Sequence, residues 1–166
     1  MTGEVDGDTI TFRRFYRHRI EHVWDAIATE AGLRGWLMAT HVAIGADTIE
    51  LVSGPPGYRS TGKILRREPP RVFEYEWNVA PVREMPHGER AIFRYELAPD
   101  GDGTRLVVTI RKLTRTTIAG FLPGQHAFLD RLAAQLDGEP MPDWFERFAA
   151  HRPEYPAWQH ATDPAQ

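Results

Sequence analysis

Residues 121–136, FLPGQHAFLDRLAAQL, constrain this chain more than any other stretch. Phe121, Gln125, Phe128, Leu129, Leu132 and Leu136 recur at helical spacing, the stripe of an amphipathic helix. His126, Asp130, Arg131 and Gln135 fall off that stripe and are expected to face water. Asp137 and Gly138 end the pattern as a glycine C-cap does. Pro123 is tolerated in a first turn but breaks a helix interior, so the pattern predicts a helix that is regular after Gly120. Nearly everything before it reads as short strands with one apolar face. A long helix after an antiparallel sheet needs that sheet to close around it.

The strands follow from alternation. Arg71–Asn78 gives the clearest case: Phe73, Tyr75 and Trp77 point one way, Glu74 and Glu76 the other. Phe93, Tyr95 and Leu97 alternate in the same manner, with Arg94 on the opposite, solvated face. The run Asp100-Gly101-Asp102-Gly103 is a hairpin turn, answered by Leu106, Val108 and Ile110. Further strands are expected at Thr40–Ile44, Thr48–Leu51 and Arg59–Arg67, with a Pro-Gly loop at Ser53–Gly57 and a longer loop at Val79–Glu89. Residues 1–8 read as a loose start, and Thr9–Tyr16 as a first strand. Its alternation breaks at the Arg13-Arg14 pair, as a bulge would make it do, leaving Phe15 inward. Between these strands, Ile20, Val23, Trp24 and Ile27 form a helical face. A second short helix covers Glu30–Leu37, with Leu33, Trp36 and Leu37 as its apolar side. After Gly138, Asp143 followed by Glu146 forms a capping-box variant and predicts a helix over Asp143–Ala150. The tail carries Trp144, Phe145, Phe148, Tyr155 and Trp158, which implies docking onto the domain or a partner chain.

Composition narrows the function classes. At 166 residues the chain fits one domain of residues 1–138 with an appendage over 139–166. With no cysteine, thiolate catalysis, disulfides and cysteine metal sites are excluded. The 20 basic residues are dispersed among 23 acidic ones, and no basic block favours nucleic acid. No apolar run approaches the roughly 20 residues of a membrane span. The N-terminus MTGEVDGDTI is too acidic for a signal peptide, so a cytoplasmic protein is expected.

Three runs carry a family resemblance. Arg19–Ile27 (RIEHVWDAI) precedes a Gly35-Trp36 pair; Glu68–Trp77 (EPPRVFEYEW) is a Pro-Pro-Arg strand start ending in tryptophan; Gly124–Leu132 (GQHAFLDRL) opens the last helix. Together they resemble the START-like (SRPBCC) superfamily, and within it the branch named for the activator of the ninety-kilodalton heat-shock protein ATPase. The resemblance spans about Ile10–Gly138. It implies an α+β helix-grip fold: a curved antiparallel sheet around a long C-terminal helix, two short helices near the N-terminus, and an apolar cavity between sheet and helix. Gln125 stands where the family has Trp, implying a more polar cavity, and Ser53–Gly57 replaces the family's double-glycine loop at an entrance.

The resemblance further implies a hydrophobic or aromatic small molecule as ligand, with no cofactor. Trp24, Trp36, Phe73, Tyr75, Trp77, Phe93, Tyr95, Phe121, Gln125 and Phe128 all lie on faces this fold turns inward. They are the candidate ligand-binding residues, although ordinary core packing explains each one taken singly. The Glu30–Leu37 helix and the Val79–Glu89 loop are expected to gate the cavity. Two alternatives stand beside a binder: a cyclase or hydrolase with His126 or a tyrosine as acid-base group, and an interaction module or homodimer built on the aromatic tail. His18–His22 (HRIEH) matches the H-x-x-E-H pattern of zinc peptidases. That chemistry needs both histidines on one helical face, whereas His18 falls at a strand end, so no metal is expected.

Overall fold

Alternation in the sequence becomes a sheet of eight antiparallel strands. The computed structural model describes residues 1–158, which leaves residues 159–166 of the expected appendage outside the described residues. The strands are β1 (Glu4–Asp6), β2 (Thr9–Tyr16), β3 (His41–Ile44), β4 (Thr48–Ser53), β5 (Tyr58–Glu68), β6 (Val72–Val79), β7 (Glu89–Asp100) and β8 (Gly103–Arg111). Their order across the sheet is β1-β2-β8-β7-β6-β5-β4-β3. Helices α1 (Ile20–Ala28) and α2 (Glu30–Trp36) connect β2 to β3. Helix α3 (Arg115–Asp137) follows β8, and α4 (Trp144–His151) leads into 3-10 turns at Arg152–Glu154 and Pro156–Trp158. This is the α+β helix-grip arrangement.

The sheet curves because of its backbone. Between Ile64 and Arg66 the β5–β6 register shifts, a bulge that bends the strand. At Gly62 a Cβ would lie 2.0 Å from the Glu76 carbonyl oxygen, so only glycine allows β5 to come this close to β6. Phe73, Tyr75, Trp77, Phe93, Tyr95 and Leu106 then face the concave side and are buried.

The convex side is less solvated than its charges suggest. Glu74 points outward as expected, yet only 6% of it is exposed, because Arg94 and Arg111 donate to its carboxylate at 3.2 and 2.9 Å. Burial pushes this carboxyl up, but hydrogen bonds and charge from Arg111 and Arg94 outweigh it and hold the group below the usual carboxylate range. Both arginines are partly exposed and therefore screened. Glu74→Ala is expected to cost about 1–2 kcal/mol, read as a lower denaturation midpoint with an unchanged slope.

Four local expectations are corrected. Residues 1–8 are ordered in part: β1 pairs with β2, and the Gly3 N–H donates to the Tyr155 hydroxyl at 2.8 Å. Strand β2 pairs with β8 without interruption from Ile10 to Tyr16, so there is no bulge at Arg13-Arg14. Tyr16 is inward and Phe15 is 47% exposed; Arg14 keeps the inward face by lying over the Phe12 ring at 5.4 Å. Helix α3 starts at Arg115 and runs through Pro123. Thr114 caps it, and Glu89 accepts from the Thr114 N–H and hydroxyl and from Thr117, while buried Ile118 and Leu122 offset the lost proline hydrogen bond.

The fourth correction is His126, expected in water and found 4% exposed. The appendage lies along α3 and covers it. Asp143 caps α4, accepting from the Glu146 N–H as the sequence predicts. The Trp144 indole N–H donates to the Gly124 carbonyl at 3.2 Å, and Tyr155 is buried. Of the tail aromatics Phe145 is the most exposed, at 60%. The other face of α3 is held at its C-terminal end by the two histidines of the H-x-x-E-H run. His18 pairs with Asp137 at 2.7 Å and His22 bonds the Leu136 carbonyl at 3.2 Å. Gly138 closes the helix at φ 68°.

Candidate functional site

A cleft of about 250 Å³ remains between α3 and the concave sheet. Its floor is Tyr75, Trp77 and Phe93, side by side on β6 and β7. Its roof is the face of α3 that carries Phe121, Gln125 and Phe128. Gly120 and Gly124, one turn apart on that helix, leave the roof thin, and a Cβ at Gly120 would meet nothing within 4 Å. Trp144 and Phe148 of α4 close one side, stacked on each other at 4.9 Å. Pro55, Pro56 and Tyr58 form another edge, and Glu84 and Met85 reach in from the loop between β6 and β7.

Six of the ten candidate residues therefore line the cleft: Tyr75, Trp77 and Phe93 on its floor and Phe121, Gln125 and Phe128 on its roof. The other four are packed behind it. Trp24 sits edge-on to Phe73 at 6.1 Å, and the Trp36 indole N–H donates to the Ala26 carbonyl at 2.8 Å. Tyr95 lies behind Tyr75, with the two hydroxyls 3.5 Å apart. Leu37, at the end of α2, and Glu84 with Met85 bring the edges of both expected gating segments to the cleft. Sequence reasoning did not place Tyr58, Gly120, Gly124, Trp144 or Phe148 here. The available signal was spacing: Trp144 and Phe148 lie one turn apart on a predicted helix, as do Gly120 and Gly124 on α3, a knob face and a groove of matching period.

The polar chemistry of the cleft is sparse. Tyr75 is raised well above an ordinary phenol by burial and then by Tyr95; burial lifts Tyr95 to about 12. Such phenols stay protonated at neutral pH and act as hydrogen-bond donors or acceptors, not as bases. Thr117 donates to Glu89 at 2.5 Å, but Glu89 is committed to the start of α3.

The histidine considered as an acid-base group is elsewhere. His126 faces the appendage, not the cleft. Its ring stacks on His151 at 3.4 Å, and its Nδ1 bonds the Tyr155 hydroxyl at 2.9 Å. Asp130 receives His151 at 2.6 Å and Arg147 at 2.9 Å, and Glu154 pairs with the other nitrogen of His151. Donor atoms of His126, Asp130 and His151 lie within 4.8 Å of one another. Yet parallel stacked imidazoles aim their in-plane lone pairs along neighbouring planes instead of at one point, and Arg147 already neutralises Asp130. The cluster is built as a polar clamp between α3 and the appendage, not as a metal cage.

Comparison with known proteins agrees with this architecture. The family model described as activator of Hsp90 ATPase homolog 1-like protein matches residues 17–137. The chain is similar to a protein from Bordetella parapertussis solved in solution, with 26% identity and a TM-score of 0.70 over 92% of this chain and 86% of that one. It also resembles crystalline CalU16 from Micromonospora echinospora at 20% identity and TM-score 0.70, over 92% of this chain and 88% of that one. The Aha1 dimer from Colwellia psychrerythraea matches at 17% identity and TM-score 0.63, over 77% of this chain and 95% of that one. The last two likenesses speak for the fold alone. No curated protein matches the sequence. Among the described residues, no helix is long and apolar enough to cross a membrane.

Proposed function

The chain belongs to the activator of Hsp90 ATPase homolog 1-like family, and on that premise we propose that it binds a hydrophobic or aromatic small molecule in the cleft under α3. The observation that carries this reading is the unfilled space bounded by Tyr75, Trp77, Phe93, Phe121 and Phe128. Cores are normally packed to crystal-like density, so an aromatic-walled gap of about 250 Å³ is unusual in a well-packed domain. Apolar cavities of about 150 Å³ accept benzene. A one- or two-ring molecule is therefore the natural size. Gln125 and the Tyr75 hydroxyl are the groups that orient it, and burial of rings against Trp77 and Phe121 drives binding. Turnover has less support, because the wall offers raised phenols and His126 lies under the appendage.

Native mass spectrometry of freshly purified protein, set against the denatured mass, tests occupancy directly. A mass increment lost on denaturation identifies the ligand, and the same spectrum reports monomer or dimer. Gly120→Leu provides the matched perturbation. Its side chain enters open space beside the cleft, and replacing glycine inside a helix raises helix propensity by about 1 kcal/mol. The expected outcome is affinity for a two-ring ligand such as 1-naphthylmethanol reduced about tenfold or more, with thermal stability kept or raised. Unchanged affinity for that alcohol in the variant would remove the cleft as the binding site.

A further inference from the structure

We propose that the cleft selects cationic or amine-bearing aromatic ligands over acidic ones, with Glu84, Tyr58 and Trp77 receiving the positive group at the mouth. The inference rests on the binding reading above and adds the charge of the ligand to it. Three observations carry it. Among the described residues that line the cleft, Glu84 is the one ionisable acid, and no Lys, Arg or His lines it. The cleft that Glu84 lines is walled by rings: Tyr58 stands edge-on to Trp77 at 6.3 Å and 85°, and Trp77 meets Phe121 edge-on at 5.5 Å. Ring faces and a carboxylate together are the two features that attract an ammonium group, through the ring quadrupole and through charge. Finally, Tyr58 lines the same cleft as Glu84, and its phenol is raised above the ordinary value by burial and then by the Glu84 charge. Among the described residues, no arginine, lysine or histidine lines the cleft to replace the water of a carboxylate ligand, so such a ligand enters at a desolvation cost.

The geometry gives the ligand a polarity. The apolar body lies between Phe93, Phe121 and Phe128, and the amine projects toward the β6–β7 loop. Glu84 itself is exposed, so the preference is moderate and salt-sensitive.

The test uses three compounds that share one two-ring body: 1-naphthylmethylamine, 1-naphthylmethanol and 1-naphthoate. Dissociation constants are measured on the full chain by calorimetry at pH 7, at low and high salt. The expected order is amine, then alcohol, then naphthoate, with the amine at least about fivefold tighter than the naphthoate at low salt. In Glu84→Gln the ratio of amine to naphthoate affinity should fall to within about twofold. If the alcohol binds and the amine is no tighter than the naphthoate, or if Glu84→Gln leaves the ratio intact, the charge preference is refuted and the binding reading survives. If none of the three binds, both fall.

Discussion

Trp36→Ala is expected to lower the unfolding free energy by about 3–5 kcal/mol while leaving ligand affinity of the folded protein unchanged within about twofold. Trp36 is 1% exposed and fills the junction where α1, α2 and α3 meet. Truncation removes the whole ring and leaves a hole that a helix junction cannot collapse to fill. It also removes the N–H that reaches the Ala26 carbonyl, a bond to α1 that fixes the angle between α1 and α2. Its backbone contributes separately, since Arg131 of α3 donates to the Trp36 carbonyl at 3.2 Å, and that contact survives the substitution. Trp36→Phe keeps most of the apolar volume and loses the hydrogen bond, so it should cost about half as much. Denaturant unfolding gives the stability and titration with 1-naphthylmethanol the affinity. A large affinity loss in Trp36→Phe would mean that the cleft extends behind Tyr75 into this junction.

The same residue shows what the sequence can and cannot say. Period-2 alternation tells which side of a strand is inward, and Phe73, Tyr75 and Trp77 all point as that rule requires. It says nothing about depth. Tyr75 and Tyr95 obey one rule equally, yet one lines the cleft and the other is sealed behind it, because only the placement of α3 separates them. Local capping chemistry was legible for the same reason that alternation was: Asp143 with Glu146, and Gly138, act within one turn of themselves. The start of α3 was not. Its anchor, Glu89, lies far earlier in the chain, and no local pattern reveals a carboxylate reaching Thr114 and Thr117. Off-stripe residues of α3 likewise read as solvated until a second layer covers them, and Tyr155 and His151 form that layer.

That layer makes the fold acid-sensitive through one residue, and between pH 7.5 and 4.5 His126 is expected to account for a loss of about 2–3 kcal/mol. Burial is the first cause: it lowers the imidazole from an ordinary value near 6.5 to about 4, with help from the charges of His151 and Arg14 and against the pull of Asp130 and Glu154. Hydrogen bonding points the same way. Tyr155 accepts from the Gly3 N–H and keeps its own proton free for His126 Nδ1, an arrangement that suits a neutral imidazole. A second proton on the ring would set a cation face to face with His151 at 3.4 Å. The remaining neighbour, Phe12 of β2, stands edge-on at 6.0 Å and supplies no charge. The sign follows from linkage. Above about 6.5 the histidine is neutral in folded and unfolded chains alike, and it contributes no pH dependence. As pH falls from there toward 4 the unfolded chain takes up the proton and the folded chain does not, so stability drops. Carboxylates held low by their partners, Asp130 and Glu154 among them, begin to lose their contribution only at the acid end of that window and lose most of it below. Denaturant unfolding of the parent and of His126→Gln across this range isolates the effect. The variant begins less stable at pH 7.5 and should lose about 2–3 kcal/mol less on acidification. Equal slopes in the two proteins would show that the appendage opens before His126 is protonated, and hydrogen exchange at the α4 amides would then show that opening directly.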